Sequence, residues 1–169
     1  MLNQKYSSAN TSINKLWRLY KVFCHEKPNG KVLDFGDGKY RKGTTFLQDK
    51  GFDVDSYEPS LNDNLPSGKY NTILISNVLN VIEEDEIILQ ILETCKELLE
   101  SDGRVLITVY EGDKSGKGKQ SKEDCYQRNA KTAEYIGLVS KVFDTVKIKQ
   151  NIIILGYRIA NIVYSILKE

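Results

Sequence analysis

The sequence is poor in the residues that build metal sites and disulfide frameworks. Its 169 residues include one histidine, His25, and three widely separated cysteines, Cys24, Cys95 and Cys125. A single histidine excludes a multi-histidine metal site and most histidine-based catalytic triads. Three dispersed cysteines without a Cys-x-x-Cys pair indicate reduced thiols and no structural zinc. We therefore predict a cytoplasmic protein without a metal site.

Long hydrophobic runs and an excess of one charge are also missing. No apolar run approaches the roughly 20 residues of a membrane-spanning helix, and the polar N-terminus lacks the apolar core of a signal peptide. The formal net charge is +1, so no overall field favours nucleic acid or a membrane. We predict no membrane partner, a flexible N-terminus over residues 1–10 and a single domain over residues 11–169.

The segment Val-Leu-Asp-Phe-Gly-Asp-Gly, residues 32–38, is the most informative part of the sequence. It predicts a strand over residues 31–35, a tight turn, and a helix over residues 42–50. Glycine accepts positive φ angles and lets the backbone approach a ligand closely. A glycine pair alone is also typical of an ordinary β–α loop, so a cofactor site needs further support.

Glu58 supplies that support. It follows a second predicted strand, residues 52–57, and lies 20 residues after Gly38. An acid at the end of the neighbouring strand is placed to bind both hydroxyls of a ribose. The competing interpretation is a turn acid before Pro59. With the glycine turn beside it, Glu58 favours a nucleotide-like cofactor.

The rest of the pattern alternates between helix and strand periodicity, which predicts a parallel α/β sheet. We predict helices over residues 11–27, 84–100 and 123–139, strands over 70–76 and 104–110, and an antiparallel pair over 142–149 and 152–156. Residues 157–168 suit a closing helix, although their Ile and Val content also suits a strand. The apolar face of that helix would pack on the sheet or pair two subunits in a dimer.

Over most of its length the chain resembles class I S-adenosylmethionine-dependent methyltransferases. Residues 32–38 resemble the glycine motif of that family, and Glu58 resembles its ribose-binding acid. Residues 62–66 resemble the segment beside the adenine, and residues 75–82 the stretch beside the methionine part. The resemblance implies S-adenosylmethionine as cofactor. The implied cofactor-binding residues are Asp34, Gly36, Gly38, Glu58, Asn64, Leu65 and Asn77.

The resemblance also implies a Rossmann-like fold, mostly parallel, with a reversed terminal strand. Only 12 residues separate Glu58 from Asn71, where the family has a further helix and strand. We therefore predict a trimmed fold of six strands in the order 2-1-3-4-6-5, with residues 52–57 at an edge. The segment Val-Leu-Asn-Val-Ile-Glu, residues 78–83, also resembles a motif of small methyltransferase-like proteins of phages and mobile elements.

The implied function is methyl transfer to a nucleic acid or a small molecule. Tyr110, Glu111 and Asp113 follow the fourth predicted strand and are candidate catalytic residues, as acceptor-binding groups or a general base. Glu111 and Asp113 fit the role of turn acids equally well. One alternative is a non-catalytic relative that binds or recruits a partner, and a weaker one is a dinucleotide-dependent enzyme.

The loop over residues 111–122 is rich in glycine and lysine. Its lysines, Lys114, Lys117, Lys119 and Lys122, would contact phosphates if the acceptor is a nucleic acid. Lysines between glycines are also typical of a solvated loop. A mobile lid that orders when substrate binds fits the same composition.

Overall fold

A computed structural model describes residues 5–62 and 64–156. Its strands are β1 (Lys31–Phe35), β2 (Asp53–Tyr57), β3 (Tyr70–Ser76), β4 (Leu99–Thr108), β5 (Lys119–Lys122), β6 (Cys125–Gln127), β7 (Thr145–Lys149) and β8 (Ile152–Gly156). Its α-helices are α1 (Arg18–Phe23), α2 (Lys42–Asp49), α3 (Asp85–Leu98) and α4 (Ile136–Val139).

Six of these strands form one sheet in the order β2-β1-β3-β4-β8-β7. Strands β1 to β4 run parallel, and β8 runs antiparallel to both β4 and β7. The predicted strand order, the edge position of the second strand and the reversed terminal strand are therefore confirmed. Leaving aside residue 63, which is not described, residues 58–69 contain no helix or strand. This short connection confirms the trimmed α/β fold.

Alternating side chains of the central strands fill two cores, one on each face of the sheet. On one face Leu33, Ile73, Val105 and Ile153 pack with residues of α3 and α4. On the other, Val32, Leu74, Leu106 and Ile154 pack with residues of α1 and α2. Each fully buried aliphatic side chain contributes about 1.5–3 kcal/mol. Burial on both faces explains the nearly continuous apolar run of β3.

Two predicted helices are wrong in extent. The helix predicted over residues 11–27 is reduced to α1, and a 3₁₀ turn, Ala9–Thr11, lies ahead of it. The helix predicted over residues 123–139 is replaced by β6, a 3₁₀ turn at Thr132–Tyr135 and α4. Asp124 and Asn129 have φ angles of 54° and 56°, which end helical geometry at both places. The first part of this segment, Cys125–Gln127, pairs with β5 instead of continuing a helix.

Strand β4 begins earlier than predicted. Residues 101–103, which lie between the predicted helix and the predicted strand, form an irregularity within β4, because Tyr70 pairs with Leu99 whereas Thr72 pairs with Arg104. At Gly103 an added β-carbon would lie 2.9 Å from the Tyr70 carbonyl oxygen. A side chain at this position of the bulge would therefore collide with the backbone of β3.

Residues 5–8 belong to the segment predicted to be flexible, yet they contact the rest of the domain. The Ser8 backbone amide donates to the Asp124 carbonyl (3.0 Å), and Ser8 Oγ donates to the Val81 carbonyl (2.9 Å). Lys5 Nζ lies 3.0 Å from Glu83 Oε2. The described part of the predicted flexible terminus is therefore attached. The predicted closing helix over residues 157–168, with its dimer face, lies outside the described residues.

Candidate active site

A cavity of about 910 Å³ opens at the carboxyl ends of β1 to β4. Its walls are the glycine turn after β1, residues 58–62 after β2, residues 76–82 after β3, and Tyr110 after β4. The N-terminal segment and the β5–β6 hairpin complete it. Ligands of open parallel α/β sheets bind at this edge. Among the described residues, no helix has the length and apolarity needed to cross a membrane.

The glycine turn has the geometry that its sequence predicts. Gly36 and Gly38 have φ angles of 77° and 67°, a region that glycine adopts without steric cost. The Gly36 amide donates to the Tyr57 carbonyl (2.6 Å), which joins the turn to the end of β2. A β-carbon on Gly36 would overlap a methyl group of Val78. The turn is therefore tightly packed between its neighbouring strands.

Glu58 lies on the cavity wall and is bonded directly to the glycine turn. Its Oε2 accepts from the Gly38 amide (2.9 Å). Its Oε1 accepts from the amide (3.0 Å) and the hydroxyl (2.7 Å) of Ser60. A carboxylate has about four acceptor positions, so these three bonds leave room for a ligand hydroxyl. The structure thus brings together the two motifs that the sequence connected only by spacing.

Asp34 is placed behind the turn and does not line the cavity. It is fully buried, and it accepts from the Tyr20 hydroxyl and the Thr44 hydroxyl, both at 2.9 Å. Burial and the nearby charge of Asp37 raise the pKa of Asp34 to about 7. Asp34 was predicted as a cofactor-binding residue, but this position agrees with orienting the glycine loop and not with contacting a cofactor.

Asp37 was not predicted as a site residue, yet its side chain is almost as buried as that of Asp34. Its Oδ2 lies 3.0 Å from Thr44 Oγ1 and 3.4 Å from Arg41 Nε. Thr44 has one hydroxyl hydrogen and therefore cannot donate to both carboxylates at once. Burial raises the pKa of Asp37 as well. The glycine turn is built on two carboxyl groups that compete for one donor.

Of the segment predicted beside the adenine, residues 62–66, Asn62 lines the cavity but the two predicted site residues do not. Asn64 and Leu65 are not among the lining residues, and Leu65 is exposed; the wall here is formed by residues 58–62. Asn77 does line the cavity, with a φ of 59° and its amide donating to the Thr108 carbonyl (2.8 Å).

The three candidate catalytic residues do not lie together at the cavity. Tyr110 lines the cavity and is exposed, whereas Glu111 and Asp113 do not line it. Glu111 accepts from the amide (2.7 Å) and hydroxyl (2.8 Å) of Thr132, and these bonds lower its pKa. Bonds from the side chain and amide of Ser115 lower the pKa of Asp113. A lowered pKa makes a weaker base, so both acids match the turn-acid interpretation.

An amide network that sequence reasoning missed holds the wall beside Tyr110. Asn80 is buried; its Nδ2 donates to Gln127 Oε1 (3.1 Å), and its Oδ1 accepts from the Tyr110 amide (3.3 Å). Gln127 Nε2 donates to the Tyr110 carbonyl (2.9 Å). The network joins the ends of β3, β4 and β6. Because residues 123–139 were predicted as a helix, Gln127 was not recognised as a residue at the end of a strand beside the cavity.

The N-terminal segment also forms part of the site. Ser12 lies over the glycine turn, where a β-carbon on Gly38 would be 2.5 Å from its Oγ. Ser8, Thr11, Trp17 and Tyr20 line the cavity further along. The polar residues among them have no periodicity and carried no signal for this role, and Trp17 and Tyr20 were predicted only as part of a helix. The lysines of the 111–122 loop lie outside the lining.

Compared by sequence, the chain matches no protein-family model and no curated protein. Compared by structure, it resembles methyltransferases. The Burkholderia thailandensis 1,6-didemethyltoxoflavin-N1-methyltransferase, solved with 1,6-didemethyltoxoflavin and S-adenosylhomocysteine bound, is 19% identical with a TM-score of 0.64. The match covers 82% of this chain and 75% of that chain.

Two further structures share the fold. A T. thermophilus 16S rRNA methyltransferase in complex with AdoMet and guanosine is 13% identical (TM-score 0.54), with 87% of this chain and 45% of that chain covered. PigF with S-adenosylhomocysteine is 17% identical (TM-score 0.52), with 82% and 54% covered. The chain spans about half the length of these two proteins. Its fold is that of the S-adenosylmethionine-dependent methyltransferases, in a trimmed form.

Proposed function

We propose that the protein is an S-adenosylmethionine-dependent methyltransferase that binds its cofactor over the glycine turn. The observation that carries this proposal is the bond between the Gly38 amide and Glu58 at the wall of a large cavity. That pair combines a backbone turn that a ligand can approach with a carboxylate for ribose hydroxyls. S-adenosylhomocysteine in two of the matched structures supports the same cofactor.

The residues present fit such a cofactor. Glu58 would bind the ribose hydroxyls, residues 59–62 would flank the adenine, and Asn77 would lie beside the methionine part. Asp34 would act from behind the turn by holding its shape. When bound, the cofactor supplies a sulfonium methyl group, which the acceptor takes while the carbon–sulfur electron pair stays on sulfur and the acceptor proton leaves to water. The chain itself contributes position and exclusion of water.

Two classes of methyl acceptor are compatible with the proposed function, a nucleic acid and a small molecule. The matched structures include proteins of both kinds. The narrower resemblance to phage and mobile-element proteins receives no support from them. The alternative of a non-catalytic binding module is favoured by the shortened adenine side, where residues 58–69 form only a loop.

Calorimetric titration with S-adenosylmethionine and S-adenosylhomocysteine tests the proposal. We expect both ligands to bind, and Glu58→Ala to weaken binding at least tenfold because the ribose hydroxyls lose their acceptor. Glu93→Ala, which changes an exposed acid on α3, is the matched control and should bind like the parent. If neither ligand binds at millimolar concentration, the methyltransferase proposal fails. Binding that is indifferent to Glu58 would contradict the ribose placement.

A further inference from the structure

The cavity is large for a ligand pocket. Ligand pockets span roughly 300–1,000 Å³, and this cavity, at about 910 Å³, lies near the upper limit. Its walls also come from two groups of elements. The glycine turn, α2, residues 58–62 and the first two residues after β3, Asn77 and Val78, form one end. Residues 80–82, Tyr110 and the β5–β6 hairpin form the other. The volume and the two-part wall indicate room for a second small molecule.

Charge is distributed unevenly between the two ends. The charged lining residues within the described part of the chain are Lys15, Asp37, Lys42 and Glu58. Three of them belong to the glycine turn, α2 and the end of β2. Lys15 lies in the chain between Ser12 and Tyr20, which contact the positions of Gly38 and Gly43. Three of the four charges are therefore at the cofactor end, and Lys15 belongs to a segment that contacts this end through Ser12 and Tyr20. The other end is lined by uncharged side chains.

The polar groups of the uncharged end are largely occupied by bonds within the protein. Asn80 and Gln127 bond to each other and to the backbone of Tyr110. Ser8 Oγ donates to the Val81 carbonyl. The cations that act on Tyr126, Lys5 and Arg128, are already paired with Glu83 and Asp85. A charged ligand here would therefore lose its hydration without gaining a free opposite charge, which is costly. The surfaces that remain are mainly the tyrosine rings and the aliphatic side chains of Val81 and Ile82.

Tyr126 is held in a geometry suited to stacking. Its ring lies against that of Tyr6, with centroids 5.6 Å apart and planes 13° from parallel. Tyr126 lines the cavity and Tyr6 does not, so Tyr6 supports the ring from outside. A flat aromatic ligand placed against Tyr126 would extend this stack, an arrangement that stabilises aromatic pairs by about 0.5–1.5 kcal/mol beyond burial.

The basic residues near this end are poorly placed for phosphates. Lys114 pairs with Glu111 and Lys119 with Asp113, each at 3.3 Å. None of the four lysines of the 111–122 loop lines the cavity. Nucleic-acid binding depends on cations that neutralise several phosphates. The surroundings of the uncharged end therefore favour a small acceptor over a nucleic acid.

We propose that the end of the cavity formed by Asn80, Tyr110, Tyr126 and Gln127 is the methyl-acceptor subsite, and that it takes an uncharged, planar aromatic small molecule. This inference rests on the proposed function, because it requires a cofactor at the opposite end. It adds the substrate class and identifies Tyr126 as the residue against which the acceptor stacks.

The test is calorimetric titration of the S-adenosylhomocysteine complex with two probes that differ by one carboxylate, 2-naphthol and 3-hydroxy-2-naphthoate. We expect 2-naphthol to bind at least tenfold more tightly than the naphthoate. Tyr126→Leu, which removes the ring, should weaken 2-naphthol binding about tenfold, whereas Tyr126→Phe should retain it. Ile148→Leu, on the edge strand β7 and outside the lining, is the control.

The outcomes separate this inference from the proposed function. Failure of S-adenosylhomocysteine to bind would overturn both. If it binds but 2-naphthol does not, or the naphthoate binds equally well, only the acceptor inference is overturned. Each Tyr126 variant is also titrated with S-adenosylhomocysteine, which reports whether the cofactor end is folded. A single-stranded RNA that displaces 2-naphthol would overturn the small-molecule class in favour of an extruded base.

Discussion

The environment of Asp34 gives the glycine turn a dependence on pH. Its pKa rises from 3.8 to about 7 because the group is buried and faces Asp37. Between these values the folded protein holds a proton that the unfolded chain has lost. The free energy of unfolding therefore falls as the pH rises through this window. Asp37 shifts in the same direction.

Asp34→Asn should flatten this pH dependence. Asparagine can accept from Tyr20 and donate to Thr44, which frees the Thr44 hydroxyl for Asp37. Urea unfolding at about pH 5 and about pH 8 should show the variant losing roughly 2–3 kcal/mol less than the parent over that interval. Asp55→Asn is the control: the pKa of Asp55 is lowered, so its contribution changes only in more acidic solution. If the free energy of unfolding depends on pH equally in Asp34→Asn and the parent, Asp34 is not the group that holds the extra proton in the folded protein.

At the scale of elements, the site depends on contacts between segments far apart in the chain. Residues 5–8 are held by Asp124, in the turn of the β5–β6 hairpin, through the amide and hydroxyl of Ser7 and the amide of Ser8. The hairpin in turn supplies Tyr126 and Gln127 to the cavity. Loss of one attachment should therefore loosen the wall of the proposed acceptor subsite.

Asp124→Gly tests this attachment, because glycine keeps the positive φ of 54° and removes only the side-chain acceptors. We expect amide hydrogen exchange in residues 5–8 to accelerate about fivefold, as lost hydrogen bonds worth about 1 kcal/mol imply. Asn151→Gly makes the same change at a φ of 59° in the β7–β8 turn, away from the N-terminal segment. Acceleration by both variants alike would show a general loss of stability and not a local attachment.

At the scale of the whole molecule, charge argues against nucleic acid as the main partner. Basic and acidic residues nearly balance, at 24 and 23. The loop over residues 111–122 is rich in lysine, but two of its four lysines pair with acidic residues of the same loop. Steering of a polyanion requires a net local field, which such pairing reduces.

Glutamine at all four loop lysines should change the salt dependence of RNA binding little. We expect the slope of log affinity against log salt to change by less than one. A control with the same change in net charge replaces four exposed lysines elsewhere: Lys21, Lys27, Lys50 and Lys141. A slope lowered by two or more in the loop variant alone would identify the loop as a phosphate-binding surface.

Local patterns in the sequence were sufficient for the central part of the fold. Residues 32–38 predict β1 and its turn. Apolar residues with β preference favour a strand, and the two glycines favour the positive φ angles of the turn, so both signals are local. Helical spacing over residues 84–100 predicts α3 within two residues at each end. The strand order followed from the connection lengths and the resemblance to a known fold, and it is confirmed.

The rest of the site was decided by tertiary contacts. The burial of Asp37, the attachment of residues 5–8, and the pairing of Asn80 with Gln127 each join segments separated in the chain. Sequence periodicity reports only which face of one element is apolar, so it does not show which polar groups meet across elements. The sequence by itself determined the six strands of the main sheet, the glycine turn and Glu58, because these depend on short-range backbone preference. Only the folded chain decided what surrounds them, because hydrogen bonds between distant polar residues form after the sheet has brought those residues together.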